Sequence, residues 1–131
     1  MAEDQSYPRV KKFFFLFIFI LSFSKANSEN FKFVKIANLN NPWGSSFLNN
    51  DEMIITEKSG LIKIVNIINN QVNDVEHNLN FLEDGQGGLL DILYQENKVW
   101  ISYTENRGSR KTSTSIALAN LDKKNLVFKN I

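Results

Sequence analysis

Short apolar stretches separated by turn-forming residues make up the chain from residue 31 onward, and this spacing is typical of antiparallel strands. The breaks at 49–51 (Asn-Asn-Asp) and 58–60 (Lys-Ser-Gly) suit tight turns, because Asn, Asp and Gly tolerate the left-handed backbone. No long stretch repeats with a period of about 3.6 residues, so we expect little helix and an all-β fold. Strands are predicted at residues 31–36, 43–48, 53–56, 61–67, 89–94, 99–104, 115–121 and 126–128.

A polar segment, residues 69–88, divides these strands into two groups and ends in Asp-Gly-Gln-Gly-Gly at 84–88. So much glycine disfavours regular structure, which predicts a loop there. A second, basic loop is predicted at 105–111. We expect this loop to be exposed to solvent rather than to bind an anionic cofactor, because the ends of surface loops are usually polar.

The beginning of the chain has the pattern of a secretory signal peptide. Arg9, Lys11 and Lys12 precede an uninterrupted apolar run over residues 13–21. A membrane-spanning helix needs about 20 apolar residues, so the run predicts a cleaved signal and no stable membrane anchor. We expect residues 1–28 to be removed and the protein to be periplasmic or secreted. The alternative is a buried N-terminal strand or helix.

Charge and composition exclude several classes of function. The chain has 15 basic and 14 acidic side chains, scattered singly, and lacks the basic stripe of a nucleic-acid-binding protein. It has no cysteine, so disulfides, thiolate metal sites and cysteine nucleophiles are excluded. Any metal would have to be held by oxygen ligands or by His77, and no metal site is predicted.

The predicted strands amount to about two small sheets, each of which needs a neighbour to cover its faces. A β-propeller hides its sheet edges only with at least about four such blades. We therefore expect residues 29–131 to be the first blades of a propeller, incomplete at the C-terminus. The alternative on strand number alone is a small β-sandwich.

Three collinear segments resemble one known family. They are 41–44 (Asn-Pro-Trp-Gly) with Phe47-Leu48, 55–62 (Ile-Thr-Glu-Lys-Ser-Gly-Leu-Ile) and 84–91 (Asp-Gly-Gln-Gly-Gly-Leu-Leu-Asp). Together they are similar to the soluble aldose sugar dehydrogenases, also described as glucose/sorbosone dehydrogenase-like proteins. The resemblance covers residues 31–128. It departs at 93–98, where a shorter turn replaces a His-Pro-Asp-Phe type segment.

The resemblance implies a six-bladed propeller that uses pyrroloquinoline quinone and calcium and oxidises an aldose at its anomeric carbon. Hydride passes to the quinone, a histidine expected beyond Ile131 takes the hydroxyl proton, and an electron acceptor is the second partner. In the family the position of Gln86 lies at the cofactor and substrate pocket, where an amide can both donate and accept hydrogen bonds. Alternatively the surrounding glycines only make a turn between blades. The 131-residue chain alone is expected to be inactive.

Other candidate residues are given structural roles. His77 is predicted to be an exposed loop histidine, since no second metal ligand lies at useful spacing. Glu57 and Asp91 are predicted to accept local hydrogen bonds rather than to form a catalytic pair. Trp43 and Trp100 are predicted to be core residues, with stacking on a sugar as the alternative.

Two other functions stay open. A non-catalytic exported propeller would bind a carbohydrate or a protein partner, and a short secreted β domain would be purely structural.

Overall fold

The computed structural model describes residues 31–109 and 111–131, so the predicted signal peptide lies outside the described residues. Every described strand belongs to one compact unit, residues 35–131. The described residues contain no helix, and thus none that could cross a membrane. The strands are β1 (Pro42–Phe47), β2 (Glu52–Glu57), β3 (Ile62–Asn66), β4 (Val72–His77), β5 (Leu89–Gln95), β6 (Lys98–Asn106), β7 (Thr112–Asn120), β8 (Asn125–Leu126) and β9 (Lys129–Asn130).

These strands form two sheets. The first has the order β1-β2-β3-β4-β8, in which β1 to β4 are an antiparallel meander and β8 pairs with β4 in parallel. The second has the order β5-β6-β7-β9 and is antiparallel throughout. The predictions of an all-β fold, of two small sheets and of turns at 49–51 and 58–60 are confirmed.

Three local predictions are wrong. Residues 31–36 form no strand, and Phe31 and Phe33 are exposed, so their apolar side chains have no described surface to pack against. The polar segment 69–88 is not all loop, since it contains β4. In β4 only Val75 is buried, so its sequence carries little apolar pattern. The stretch 126–128 is not one strand, because the chain leaves the first sheet after Leu126 and joins the second at Lys129.

A single apolar cluster joins the two sheets. Burying such side chains contributes roughly 25 cal/mol per Å² of apolar surface, which makes this cluster the main source of stability. The first sheet contributes Ile54, Ile62, Ile64 and Val75, and the second contributes Leu89, Ile92, Val99, Ile101, Tyr103, Ala117 and Ala119. Leu126, from β8 of the first sheet, and Phe128, from the connection that follows it, complete the cluster.

Polar contacts fix β5 beside β1 and β2. The Thr56 hydroxyl accepts a hydrogen bond from the Gly44 amide (3.0 Å) and donates one to the Leu90 carbonyl (2.5 Å). Gly44 is buried, and a Cβ there would lie 2.7 Å from the Cα of Asp91. This close approach brings the beginnings of β1 and β5 to the same end of the paired sheets.

Candidate functional site

The glycine loop at 84–88 connects the first sheet to β5. The amide of Gly87 donates to the Asp84 carbonyl at 2.6 Å, and Gly85, between them, has a φ of 54°. Gly88 has a φ of 145°, and a Cβ there would overlap the Lys58 carbonyl oxygen. Glycine at 88 is therefore required by the approach of two backbone segments, and not only by the turn.

Lys58 anchors this loop to the first sheet. Its ammonium group donates to the Gly85 carbonyl at 2.5 Å, and its own carbonyl accepts from the Leu89 amide at 3.3 Å. On the other side, the Thr104 amide donates to the Gly88 carbonyl at 2.9 Å. The loop is thus held by β6 and by the turn that follows β2, which fixes where Gln86 is presented.

Gln86 is exposed and lines a cleft of about 600 Å³, which we call the Gln86 cleft. The cleft is mainly polar in its side chains, with amide, carboxylate and hydroxyl groups. Because these groups include both donors and acceptors, the cleft can bind a ligand that carries hydroxyl or carbonyl oxygens. Its lining includes Trp43, Asp84, Gln86, Thr104, Thr112 and Ser113.

The prediction that both tryptophans are core residues is wrong, because neither belongs to the apolar cluster between the sheets. The side chain of Trp43 is 49% exposed and lines the Gln86 cleft. The alternation of β1 explains this, since the buried Gly44 takes the inward position and its neighbour must point the other way. Trp100 is partly buried and lies on a different surface, beside Leu93 and Ile116.

The prediction that His77 is an exposed loop residue is also wrong. His77 ends β4 and is partly buried. Its Nε2 lies 2.7 Å from the Gly60 carbonyl, and its Nδ1 accepts from the Leu79 amide at 3.2 Å. Both ring nitrogens are therefore engaged in the neutral form that carries its hydrogen on Nε2. Among the described residues no group of three or more His, Cys, Asp or Glu side chains could hold a metal ion.

Glu57 and Asp91 are hydrogen-bond acceptors, as predicted. Glu57 is 1% exposed, and its Oε1 accepts from the Asn40 amide at 2.7 Å, whereas its Oε2 is buried without a hydrogen-bond partner. Asp91 is exposed, and its Oδ1 accepts from the Ile92 amide at 2.9 Å. One carboxylate is buried and the other is open to solvent.

The basic loop joins β6 to β7, and a polar cluster lies beside its first residues. A hydrogen bond from Ser115 and the neighbouring Arg107 hold the pKa of Glu105 below its ordinary value. Burial raises the pKa of Tyr103, whose hydroxyl donates to Asn130 at 2.8 Å. Gly108, Ser109 and Lys111 are exposed, which confirms a solvated tip for the described part of the loop.

The family model for glucose/sorbosone dehydrogenases matches residues 39–131. No curated protein matches the sequence. Among solved structures, the apo form of the soluble aldose sugar dehydrogenase from Escherichia coli is 24% identical with a TM-score of 0.64, over 71% of this chain and 29% of that one. The PQQ-bound form of aldose sugar dehydrogenase from Streptomyces coelicolor is 18% identical with a TM-score of 0.62, over 72% and 30%.

These structural likenesses concern the fold. The chain spans about three tenths of the length of the solved structures that it matches. Its two open sheets correspond to part of a β-propeller, which confirms the predicted partial propeller.

Proposed function

This chain belongs to the glucose/sorbosone dehydrogenase family, and from that premise we propose that it forms the first blades of an exported quinoprotein that oxidises an aldose at the anomeric carbon. The second substrate in this proposal is an electron acceptor that reoxidises the cofactor.

The position of Gln86 is the observation that carries the proposal. From the family resemblance we expect this glutamine at the cofactor and substrate pocket, and in the fold its side chain is exposed on a cleft, which supports that expectation. The loop that presents it is held by Lys58 on one side and by Thr104 on the other. A side chain held in this way can orient a bound ligand because little backbone freedom remains to be lost on binding.

The donor groups of the cleft fit one edge of pyrroloquinoline quinone, a planar group rich in carbonyl and carboxylate oxygens. The amide of Gln86 and the hydroxyls of Thr104 and Thr112 would donate hydrogen bonds to such oxygens. When bound, the quinone supplies the hydride acceptor that no amino-acid side chain provides. In this proposal, the residues of this chain bind and orient the quinone.

The proton acceptor and calcium are proposed to lie elsewhere in the complete protein. His77 uses both ring nitrogens within the fold, so it is not our candidate for the general base. The base that we propose is a histidine beyond Ile131. We likewise propose that calcium is held by residues other than those described.

The test is aldose-dependent dye reduction by the complete gene product, with and without pyrroloquinoline quinone and calcium. We expect activity that depends on the quinone and that falls at least about tenfold in Gln86→Ala, the loss expected for a hydrogen bond to a charged or strongly polar group. Gln95→Ala is the matched control, since Gln95 is exposed at the end of β5 and does not line the cleft. A folded product without quinone-dependent activity would favour a non-catalytic propeller that binds a carbohydrate or a protein.

A further inference from the structure

An exposed indole faces the Gln86 cleft, and the backbone keeps it there. Trp43 is 49% exposed, although a tryptophan gains most from burial. Its neighbour Gly44 is fixed by the hydrogen bond to Thr56 (3.0 Å) and by the close approach to Asp91. Turning the indole inward would require the face of β1 that contacts β5 to accept a side chain, for which there is no room.

The neighbours of Trp43 in the cleft are polar. Gln86, Thr104 and Thr112 offer amide and hydroxyl groups around the aromatic ring. A cleft that is apolar on one side and polar on the other suits a ligand that has one apolar face and one polar edge. A pyranose has this division, because its C–H groups form an apolar face and its hydroxyls form a polar edge.

The carboxylate of Asp84 can bind the polar edge of such a ligand. Asp84 is exposed and lines the cleft. A carboxylate accepts hydrogen bonds from hydroxyl groups, so the Asp84 side of the cleft suits the hydroxyl edge of a pyranose.

We propose that Trp43 is the aromatic wall of the sugar subsite, against which the apolar face of a pyranose packs while Asp84 accepts hydrogen bonds from its hydroxyls. This inference rests on the proposed function for the reaction that follows. The binding itself requires only the cleft.

Kinetics of the complete gene product separate this role from a structural one. Trp43→Ala should raise the KM for D-glucose about tenfold with little change in kcat, the loss expected for an aromatic contact, and Trp43→Phe should retain most of the affinity. Trp100→Phe is the control, because Trp100 lies on another surface. An unchanged KM in Trp43→Ala would overturn the proposal, as would a fall in kcat alone.

The role of Asp84 has its own variant. Asp84→Ala should raise the KM for D-glucose about fivefold, because the hydroxyl groups of the sugar lose their acceptor. An unchanged KM in Asp84→Ala would contradict the role of Asp84.

A binding measurement without cofactor distinguishes failure of this inference from failure of the proposed function. In protein labelled with 5-fluorotryptophan, the ¹⁹F resonance of Trp43 is identified by its loss in Trp43→Phe. Titration with D-glucose should shift that resonance and leave that of Trp100 in place. A shift without quinone-dependent activity would sustain the sugar subsite and refute the dehydrogenase. Activity with an unmoved Trp43 resonance would refute the subsite alone.

Discussion

The Nε2 of His77 lies 2.7 Å from the carbonyl oxygen of Gly60, and this contact connects β4 to the turn that follows β2. The same turn contains Lys58, which holds the glycine loop. The two contacts show how the first sheet supports the Gln86 cleft without contributing His77 to it.

Replacing His77 should loosen this support. In His77→Ala the Gly60 carbonyl and the Leu79 amide both lose their partner, so the free energy of unfolding should fall by about 1 to 3 kcal/mol. Urea unfolding followed by circular dichroism measures this. Asn73→Ala is the control, because Asn73 lies on the same strand and is exposed. Equal stability of the two variants would show that the His77 contacts contribute nothing.

Gly88→Ala tests the contact between the loop and the first sheet. The added Cβ would overlap the Lys58 carbonyl, so the variant should lose stability and ligand binding together. Gly108→Ala is matched to it, since Gly108 also has a positive φ, 75°, but has nothing within 4 Å of the added Cβ. The free energy of unfolding of that control should fall by only about 1 kcal/mol, because of backbone strain. Similar losses in both variants would show that the overlap is relieved without cost.

Glu57 offers a test of a buried carboxyl group. Its Oε2 has no hydrogen-bond partner in the described residues, so replacing that oxygen breaks no hydrogen bond there. Glu57→Gln keeps an oxygen for the Asn40 amide and should be at least as stable as the wild type. Glu57→Ala removes that acceptor, and its free energy of unfolding should fall by about 2 kcal/mol. Thermal unfolding distinguishes the two, and a Gln variant as unstable as the Ala variant would contradict this account.

Glu105 predicts a specific dependence of stability on pH. Its folded-state pKa lies below the ordinary value of 4.5, first because of Ser115 and also because of Arg107. Its contribution to stability is therefore present above pH 4.5 and is lost as the pH falls through the folded-state pKa. Glu105→Gln should be less stable than the wild type at neutral pH, and the difference should shrink in acid. A difference in the free energy of unfolding that stays constant from neutral to acidic pH would contradict this prediction.

The alternation of apolar residues was sufficient to predict most strands. Val99, Ile101 and Tyr103 are all buried on one face of β6, as a period of two requires. The strand β4 escaped prediction because only Val75 carries its inward face. Its place is set by pairing with β3, the preceding strand, and with β8, which is distant in sequence.

The candidate site was predictable only in part. The glycine loop and Gln86 stood out in the sequence, because clustered glycines mark a loop and the flanking segments carried the family resemblance. The exposure of Trp43 could not be predicted from the sequence, since it follows from the approach of Gly44 to Asp91, which is a contact between the two sheets. The roles of Asp84 and Thr104 likewise depend on the cleft, which local sequence does not reveal.

The most direct test of the central claim is the binding of pyrroloquinoline quinone to the complete gene product, measured by titration calorimetry for the wild type, Gln86→Ala and Gln95→Ala. We expect saturable binding that is at least about tenfold weaker in Gln86→Ala and unchanged in Gln95→Ala. Absence of binding by a folded wild-type protein, or equal binding by all three, would contradict the assignment of the Gln86 cleft as the cofactor and substrate site.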